Sequence, residues 1–413
     1  MAPRYTAPKG TFDVLGPRSA RYAALVALFA DHAARHGFDL LVQPMFEDVE
    51  VFQRVGASTD VVRKEMYDFT DKGGRHLALR PEGTASAARA YLEHHPTAPW
   101  KIWYVGPKFR YDRPQKGRYR QHHEVGVEAI GTSDPDLDVE VIALAAGFYA
   151  ALGLRDLALR ITSLGDEQCR PAYRTALEAH LTAARDGLCD EHKDRVTENP
   201  LRILDCKRDA CVTAAKDAPR MIDALCDDCA AHFERVREGL DAAAVAYELD
   251  RSLVRGLDYY TRTTFEFAAG SLASAQNALG GGGRYDGLIE QLGGSPTPGI
   301  GFGLGIERIL LQCDAEVVFG DPTDRLDVFV IDTTGGAAAR DIARTLRAAG
   351  IRTDRAFDAR SWKAQMKEAQ RSGARFAVSI EADGITLRTL AEKGEPVNVT
   401  AATLVDQLLE RLR

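Results

Sequence analysis

"FRYDRPQKGRYRQHHEVGVE", residues 109–128, is the stretch from which the fold can be read outward. Pro114 and Gly117 lie between two extended runs, so 108–129 predicts a strand, a turn-bearing loop and a returning strand. Side chains alternate across a strand. On the returning strand Arg118, Arg120, His122, Glu124, Gly126 and Glu128 therefore share one face, and Tyr119, Gln121, His123, Val125 and Val127 the other. The first face is basic at one end and acidic at the other, with Gly126 opening space between two carboxylates. A ligand with an anionic and a cationic part, such as ATP beside an amino acid, suits that face. A solvated hairpin of mixed charge is the plainer alternative. Residues 108–121 carry six Lys or Arg against one acid, Asp112, in a chain of net charge −7. That balance excludes a histone-like coat for DNA and leaves room for one local anionic partner.

"GIGFGLGIERILL" (299–311) puts Gly299, Gly301, Gly303 and Gly305 on one face of a strand. A face without side chains implies another backbone or a flat ligand against it. A helix starting near Gly305 sets Arg308 in its first turn, where a helix N-terminus and an Arg both favour phosphate or adenine. Close sheet–helix packing is the alternative, and neither a P-loop nor a dinucleotide fingerprint is matched. "LVRGLDYYTRTTFEF" (253–267) joins Arg255 to Tyr259 and Tyr260, and "GGGGRYDGL" (280–288) predicts a four-glycine loop followed by Arg284 and Tyr285. Tyrosine offers a hydroxyl and a π-face to a planar polar group such as imidazole, although core packing is the commoner use of such a pair. In "LRPEGT" (79–84), Arg80, Glu82 and Thr84 face one way, and Glu82 could accept a hydrogen bond from an ammonium. A surface turn is the other reading.

A length of 413 residues predicts two or three domains. With 45% apolar and 27% charged residues the chain is an ordinary globular one with ample core. "MAPRYTAPKGTFDV" has no apolar signal region, and no apolar run reaches the roughly 18 residues of a membrane span. Seven cysteines, an odd count, favour reduced thiols and the cytosol. Residues 20–36 predict an amphipathic helix, and "GFDLLVQPMFEDVEVF" (37–52) an extended segment interrupted by Pro44. Short strands punctuated by glycine are expected over 100–131 and 253–310. Between them, roughly 165–248 is rich in Ala and charge, has helical periodicity and predicts a helical insertion. Turn residues at 319–325 mark a linker. Beyond it, strands "LDVFVID", "IRTDRAF" and "ARFAVSIE" alternate with helices "AAARDIARTLRAAG", "SWKAQMKEAQRSG" and "TAATLVDQLLERLR", which makes a small α/β domain.

Six of the seven cysteines fall in the insertion, where Cys189 with His192, Cys206 with Cys211, and Cys226 with Cys229 form close pairs. Four of these six ligands could close one tetrahedral zinc site, although the spacing between pairs fits no common finger, and buried free thiols are the alternative.

Taken together, these segments resemble the class II histidyl-tRNA synthetases over nearly the whole chain. "QPMFED" is similar to the first class II motif, "FRYDRPQKGRYRQHHEVGVE" to the second and "GIGFGLGIERIL" to the third. "LVRGLDYYTRTTFEF" and "GGGGRYDGL" resemble the two histidine-specific signatures, and "PKGTFDVLG", "LRPEGT" and "NPLRILDCK" match as well. The resemblance implies an α/β (α+β) architecture. An antiparallel-sheet catalytic domain over 1–322, with the insertion at 165–248, would precede an anticodon-binding α/β domain over 323–413. It implies ligation of L-histidine to tRNA(His) through a histidyl-adenylate, with ATP as substrate and Mg²⁺ on its phosphates, in a cytoplasmic homodimer.

Position by position, the resemblance makes Arg110, Arg255 and Arg308 the catalytic arginines around the phosphates. Arg110, Asp112, Arg118, His122 and Arg308 would line the ATP site. Glu82, Gly83, Thr84, Arg110, Glu124, Glu128, Arg255, Tyr259 and Tyr260 would line the histidine pocket. The chain departs from the family pattern at Asp112, where Glu is usual, at His122, where Phe is usual, and at Glu124, where Gln is usual. A second carboxylate beside Glu128 predicts that one of the two is harder to ionise. The retained signatures and the C-terminal domain separate the chain from the synthetase-like regulatory subunit of ATP phosphoribosyltransferase.

Overall fold

The computed structural model describes the chain apart from residues 1–4, 57–58, 60, 199, 205, 207, 254–258, 271–276, 322–325, 359, 391–394 and 413. The chain divides into two compact units. The larger comprises Met1–Leu15 and Tyr22–Gly320, and the smaller Gly16–Arg21 and Asp321–Arg413.

An eight-stranded sheet runs through the larger unit in the order 39–40, 100–109, 121–130, 299–305, 278–284, 261–269, 157–163, 248–249. The six inner strands are mutually antiparallel and the two short outer strands pair in parallel. The glycine strand Gly299–Gly305 explains how this sheet separates core from cleft. Its even residues, Ile300, Phe302 and Leu304, are buried against Leu25 and Phe29 of the helix Pro17–Arg35 and Val141, Leu144 and Phe148 of the helix Pro135–Ala151. Its odd residues are all glycine and face the other way, because strand side chains alternate. Asp134 starts the second of these helices by accepting the Asp136 amide at 3.1 Å.

The smaller unit is a five-stranded sheet in the order 353–355, 326–332, 374–381, 384–389, 397–399. Strand Leu326–Asp332 buries both faces, which is why it reads as an unbroken apolar run. Val328 and Val330 pack with helices Ala337–Ala348 and Ala401–Leu412, while Phe329 and Ile331 pack with Trp362–Ser372.

Four sequence expectations change. "VEVF" is not extended: Val49–Gly56 is a helix, and Asp48 takes the Glu50 amide at 3.0 Å at its start. Val49 and Phe52, three residues apart and both buried, carry the helix's apolar face. The four-glycine segment is not a loop but part of the strand Ala278–Arg284. Its glycines admit neighbouring strands: a Cβ at Gly280 would come within 2.6 Å of the Gly303 carbonyl, and one at Gly283 within 2.8 Å of the Thr263 carbonyl. Arg118 and Arg120 precede the returning strand, which begins at Gln121. Strands Gly384–Thr389 and Val397–Val399 add to the three expected in the smaller unit.

Candidate active site

The hairpin of the opening stretch consists of strands Trp100–Phe109 and Gln121–Ile130, paired so that Tyr104 faces Gly126, Gly106 faces Glu124 and Lys108 faces His122. Directly opposed residues share a face. Tyr104 and Lys108 therefore join Glu124 and Glu128 on the side turned away from the core. Gly126 makes room for the Tyr104 ring, and Gly301 and Gly303 make room for the carboxyls of Glu128 and Glu124. The glycine ladder thus accommodates two acids as well as bordering a cleft.

Glu128 is fully buried and takes hydrogen bonds from Thr84 Oγ1 at 2.7 Å, Tyr285 OH at 2.6 Å and Tyr104 OH at 3.3 Å. Burial pushes its carboxyl up to about 8. The Tyr285 and Thr84 hydroxyls pull the other way, and Glu82 adds repulsion. The nearby second carboxylate is not the main cause, contrary to the sequence expectation, and the like charge that contributes is Glu82.

Glu82 has a structural duty. It accepts the amides of Thr84 at 2.6 Å and Ala85 at 2.9 Å, closing the start of the helix Thr84–His94. Burial raises its carboxyl, and those two amides offset the rise. Tyr259 OH lies 3.4 Å from it. Lys108, wholly buried, stands over the Tyr104 ring at 4.4 Å, with its ammonium 3.9 Å from Glu124 and 3.5 Å from Gln43 Oε1. Burial pulls its ammonium down to about 8, against the favourable charge of Glu124. Gly83 leaves room here, since a Cβ there would lie 2.5 Å from the Tyr104 ring and 2.7 Å from Nζ.

Glu124 also lines a cleft of about 470 Å³ whose other walls include Arg110, Asp112, Arg118, His122 and Arg308. Tyr104 OH, 3.5 Å from Glu124 and 3.3 Å from Glu128, links that cleft to the buried acids. Arg110 is oriented by the Pro81 carbonyl at 2.9 Å. Arg308, in the first turn of the helix Ile306–Glu316, donates to the Gly117 and Ala278 carbonyls, each at 2.8 Å. It therefore ties the hairpin loop to the strand Ala278–Arg284. Next to it, Glu307 takes the His123 amide at 3.0 Å and lies 2.7 Å from the His123 ring. His122 is held well below its ordinary range by burial, with Arg110 and Arg308 adding, so its ring is neutral and presents a flat aromatic surface.

The cleft has Arg110, Arg118 and Arg308 along one part and buried acids beyond it, whereas Arg120, expected on the same face, does not line it. A histidyl-tRNA synthetase family model matches residues 10–309, and an anticodon-binding-domain model matches 327–411.

The chain belongs to the histidyl-tRNA synthetase family.

The histidine–tRNA ligase of Moorella thermoacetica is 46% identical over 97% of this chain and 96% of that one. That of Mycolicibacterium vanbaalenii is 48% identical over 99% and 98%. A crystal structure of apo S. aureus histidyl-tRNA synthetase superposes with a TM-score of 0.82 at 34% identity, covering 98% of this chain and 99% of that one.

Within this family member the structure brings most of the expected residues together and redistributes others. Arg110, Asp112, Arg118, His122, Glu124 and Arg308 line one cleft. Asp112 and Arg118 are paired with each other. Glu82, Thr84 and Glu128 form one hydrogen-bonded group, and Tyr259 and Tyr260 are buried beside it. Arg255 lies outside the described residues. Arg80 and Arg284 do not reach the cleft. Arg80 donates to the carbonyls of Gln43, Pro44 and Pro107, and Arg284 is buried against Asp138 at 2.7 Å. Arg120 turns back over the Tyr111 ring at 3.9 Å. Sequence reasoning missed Tyr104 and Lys108, and missed Tyr285's bond to Glu128. The hairpin register, which pairs positions summing to 230, was the available signal for the first two.

Proposed function

We propose that the chain joins L-histidine to tRNA(His) in two steps at this cleft, through a histidyl-adenylate. The carrying observation is the continuity, through Tyr104 OH, between an arginine-lined cleft and a buried acidic floor. Membership of the family, together with relatives named histidine–tRNA ligase along almost the whole chain, supports the same reading.

In the first step the histidine carboxylate attacks the α-phosphorus of ATP, the bond to the β-phosphate oxygen breaks, and pyrophosphate leaves. Arg110 and Arg308, both fixed by backbone carbonyls, offset the charge that accumulates on the α-phosphate, and Arg255 is assigned the same role by resemblance. His122 stacks on adenine. Glu82 and Glu128, with Thr84, Tyr259 and Tyr260, hold the substrate ammonium and imidazole; Glu124 stands where the floor meets the cleft. Buried polar partners reject an apolar side chain of similar size, because they would be left unpaired. In the second step a terminal ribose hydroxyl of tRNA attacks the adenylate carbonyl and AMP leaves.

Mg²⁺ fits as a companion of the triphosphate rather than a ligand of the chain. Among the described cleft carboxylates Asp112 is engaged by Arg118, Glu307 by His123, and Glu124 faces the Lys108 ammonium at 3.9 Å, so these three form no open cage of oxygens. When bound, it would neutralise phosphate charge.

Residues 1–322 would form the catalytic domain with its insertion at 165–248, and 323–413 the anticodon-reading domain. The assembly would be a homodimer, placed in the cytoplasm. Among the described residues no helix is long and apolar enough to cross a membrane. The deciding assay is histidine-dependent ATP–pyrophosphate exchange. Exchange driven by histidine and not by other amino acids is expected, and its absence in folded protein would overturn the reading.

A further inference from the structure

The helical segment between the strands Leu157–Ser163 and Glu248–Leu249 contains chemistry that aminoacylation leaves unused. Its cysteines do not gather into one site, as their spacing suggested. They separate into two clusters of four ligand residues each, and in each cluster the ligand atoms all lie within 4.8 Å of one another.

We propose that each cluster binds one structural zinc ion: Cys189, His192, Cys206 and Cys211 hold the first, and Asp166, Cys169, Cys226 and Cys229 the second.

Distances decide between a metal site and ordinary thiol packing. Tetrahedral zinc with Zn–S of about 2.3 Å and Zn–N or Zn–O of about 2.0–2.1 Å sets S···N and S···O near 3.5 Å. In the first cluster His192 Nδ1 lies 3.2 Å from Cys189 Sγ and 3.5 Å from Cys211 Sγ. In the second, Asp166 Oδ1 lies 3.4 Å from Cys169 Sγ and 3.9 Å from Cys226 Sγ. All of these cysteines are free thiols. Inside the apolar cluster that includes Tyr173, Leu177 and Met221, their ligand atoms converge on two points.

Both clusters also have the outer partners that a metal site needs. Three thiolates and a neutral imidazole around a dication leave one negative charge. Arg208 donates to Cys189 Sγ at 3.2 Å, which offsets that charge, and is itself held by Glu191 at 2.8 Å. Arg262 lies 3.4 Å from Asp166 Oδ2 and leaves Oδ1 toward the sulfurs. The Cys226 amide donates to Cys169 Sγ at 3.1 Å.

The local fold supplies a reason for such centres. Helices Pro200–Leu204 and Asp209–Ala214 are too short to hold themselves, and small irregular cores of this kind are commonly stapled by metal. The second centre would also brace the substrate side. Leu164 and Gly165 exchange backbone bonds of 2.7 and 2.8 Å with Arg262, and Arg170 donates to the Leu164 and Tyr260 carbonyls.

The test is zinc content of the full-length chain, expressed with zinc and purified under reducing conditions without chelator. About two equivalents per chain are expected, falling to about one in Cys206→Ser and about one in Cys229→Ser. X-ray absorption at the zinc edge of the wild-type protein should give a sulfur-dominated shell near about 2.3 Å. That measurement keeps the proposal testable where a variant fails to fold. Less than about a tenth of an equivalent in folded wild-type protein, with its thiols reactive or disulfide-bonded, would overturn both sites. One equivalent that Cys206→Ser abolishes and Cys229→Ser spares would overturn the second site alone, and the converse would overturn the first.

Discussion

Glu128 is a buried acid whose own hydrogen-bond partners are neutral hydroxyls, so in the ligand-free chain it is largely protonated below about pH 8. An ammonium placed beside it favours the carboxylate, so histidine binding near pH 7 should release up to about one proton. Calorimetry in buffers of different ionisation enthalpy measures that release, and Glu128→Gln should abolish it. The stability consequence has a fixed sign. The folded value lies above the ordinary 4.5, so the contribution of Glu128 is fully present below about pH 4.5 and is lost as pH rises through about 8. Lys108 runs oppositely: its folded value lies below the ordinary 10.5, and its contribution is lost as pH falls through about 8. Glu128→Gln should therefore gain thermal stability relative to wild type between pH 6 and 9, and a difference that shrinks with pH would contradict the assignment. Arg308→Ala should reduce pyrophosphate exchange by roughly a hundredfold or more, by analogy with loss of one preorganised charge donor. It should also destabilise the fold by about 1–2 kcal/mol through the two carbonyls left without it, read by denaturant unfolding.

At the scale of elements, the strand Gly299–Gly305 carries core on one side and the carboxyls of Glu124 and Glu128 on the other. A Cβ at Gly301 would collide with the Glu128 carboxyl and the Val127 carbonyl. Gly301→Ala should cost about 1–3 kcal/mol of stability, as overpacking does. It should raise KM for histidine far more than KM for ATP, a split that steady-state exchange kinetics would reveal. The period-two pattern of Gly with Ile, Phe and Leu made this strand legible from sequence, as it did the hairpin's acid face. The four-glycine segment was misread because glycine signals a turn locally. Here it is demanded by strands on either side, which local sequence does not encode. "VEVF" failed for the same kind of reason: β-branched residues favour a strand until a neighbouring Asp starts a helix. Glu82 was visible as an acid near the site, but its service to a helix start could not be seen before the helix was placed.

For the whole molecule, the break after Gly320 separates two cores that share no buried residue. If the smaller unit serves tRNA selection, a chain ending near Gly320 should keep histidine-dependent pyrophosphate exchange within about tenfold while losing most tRNA charging. Parallel exchange and aminoacylation assays distinguish this from a general loss of fold. The alternation of strands and helices beyond residue 325 was plain in the sequence, because buried strands read as continuous apolar runs. The partners of the cysteines were not. Which thiols meet depends on how short helices close on one another, and Asp166 and Cys169 joined a cluster that spacing had not linked to them.

The start of a helix is ordinarily a landing place for phosphate. In this chain the helix Thr84–His94 has that place taken by Glu82. A nucleotide entering back to front would bring its triphosphate against the buried acids Glu82 and Glu128 instead of two amide donors. The cleft thereby acquires a direction: one end holds arginines, and the other offers a triphosphate no open helix start, so a nucleotide bound there would be held one way round.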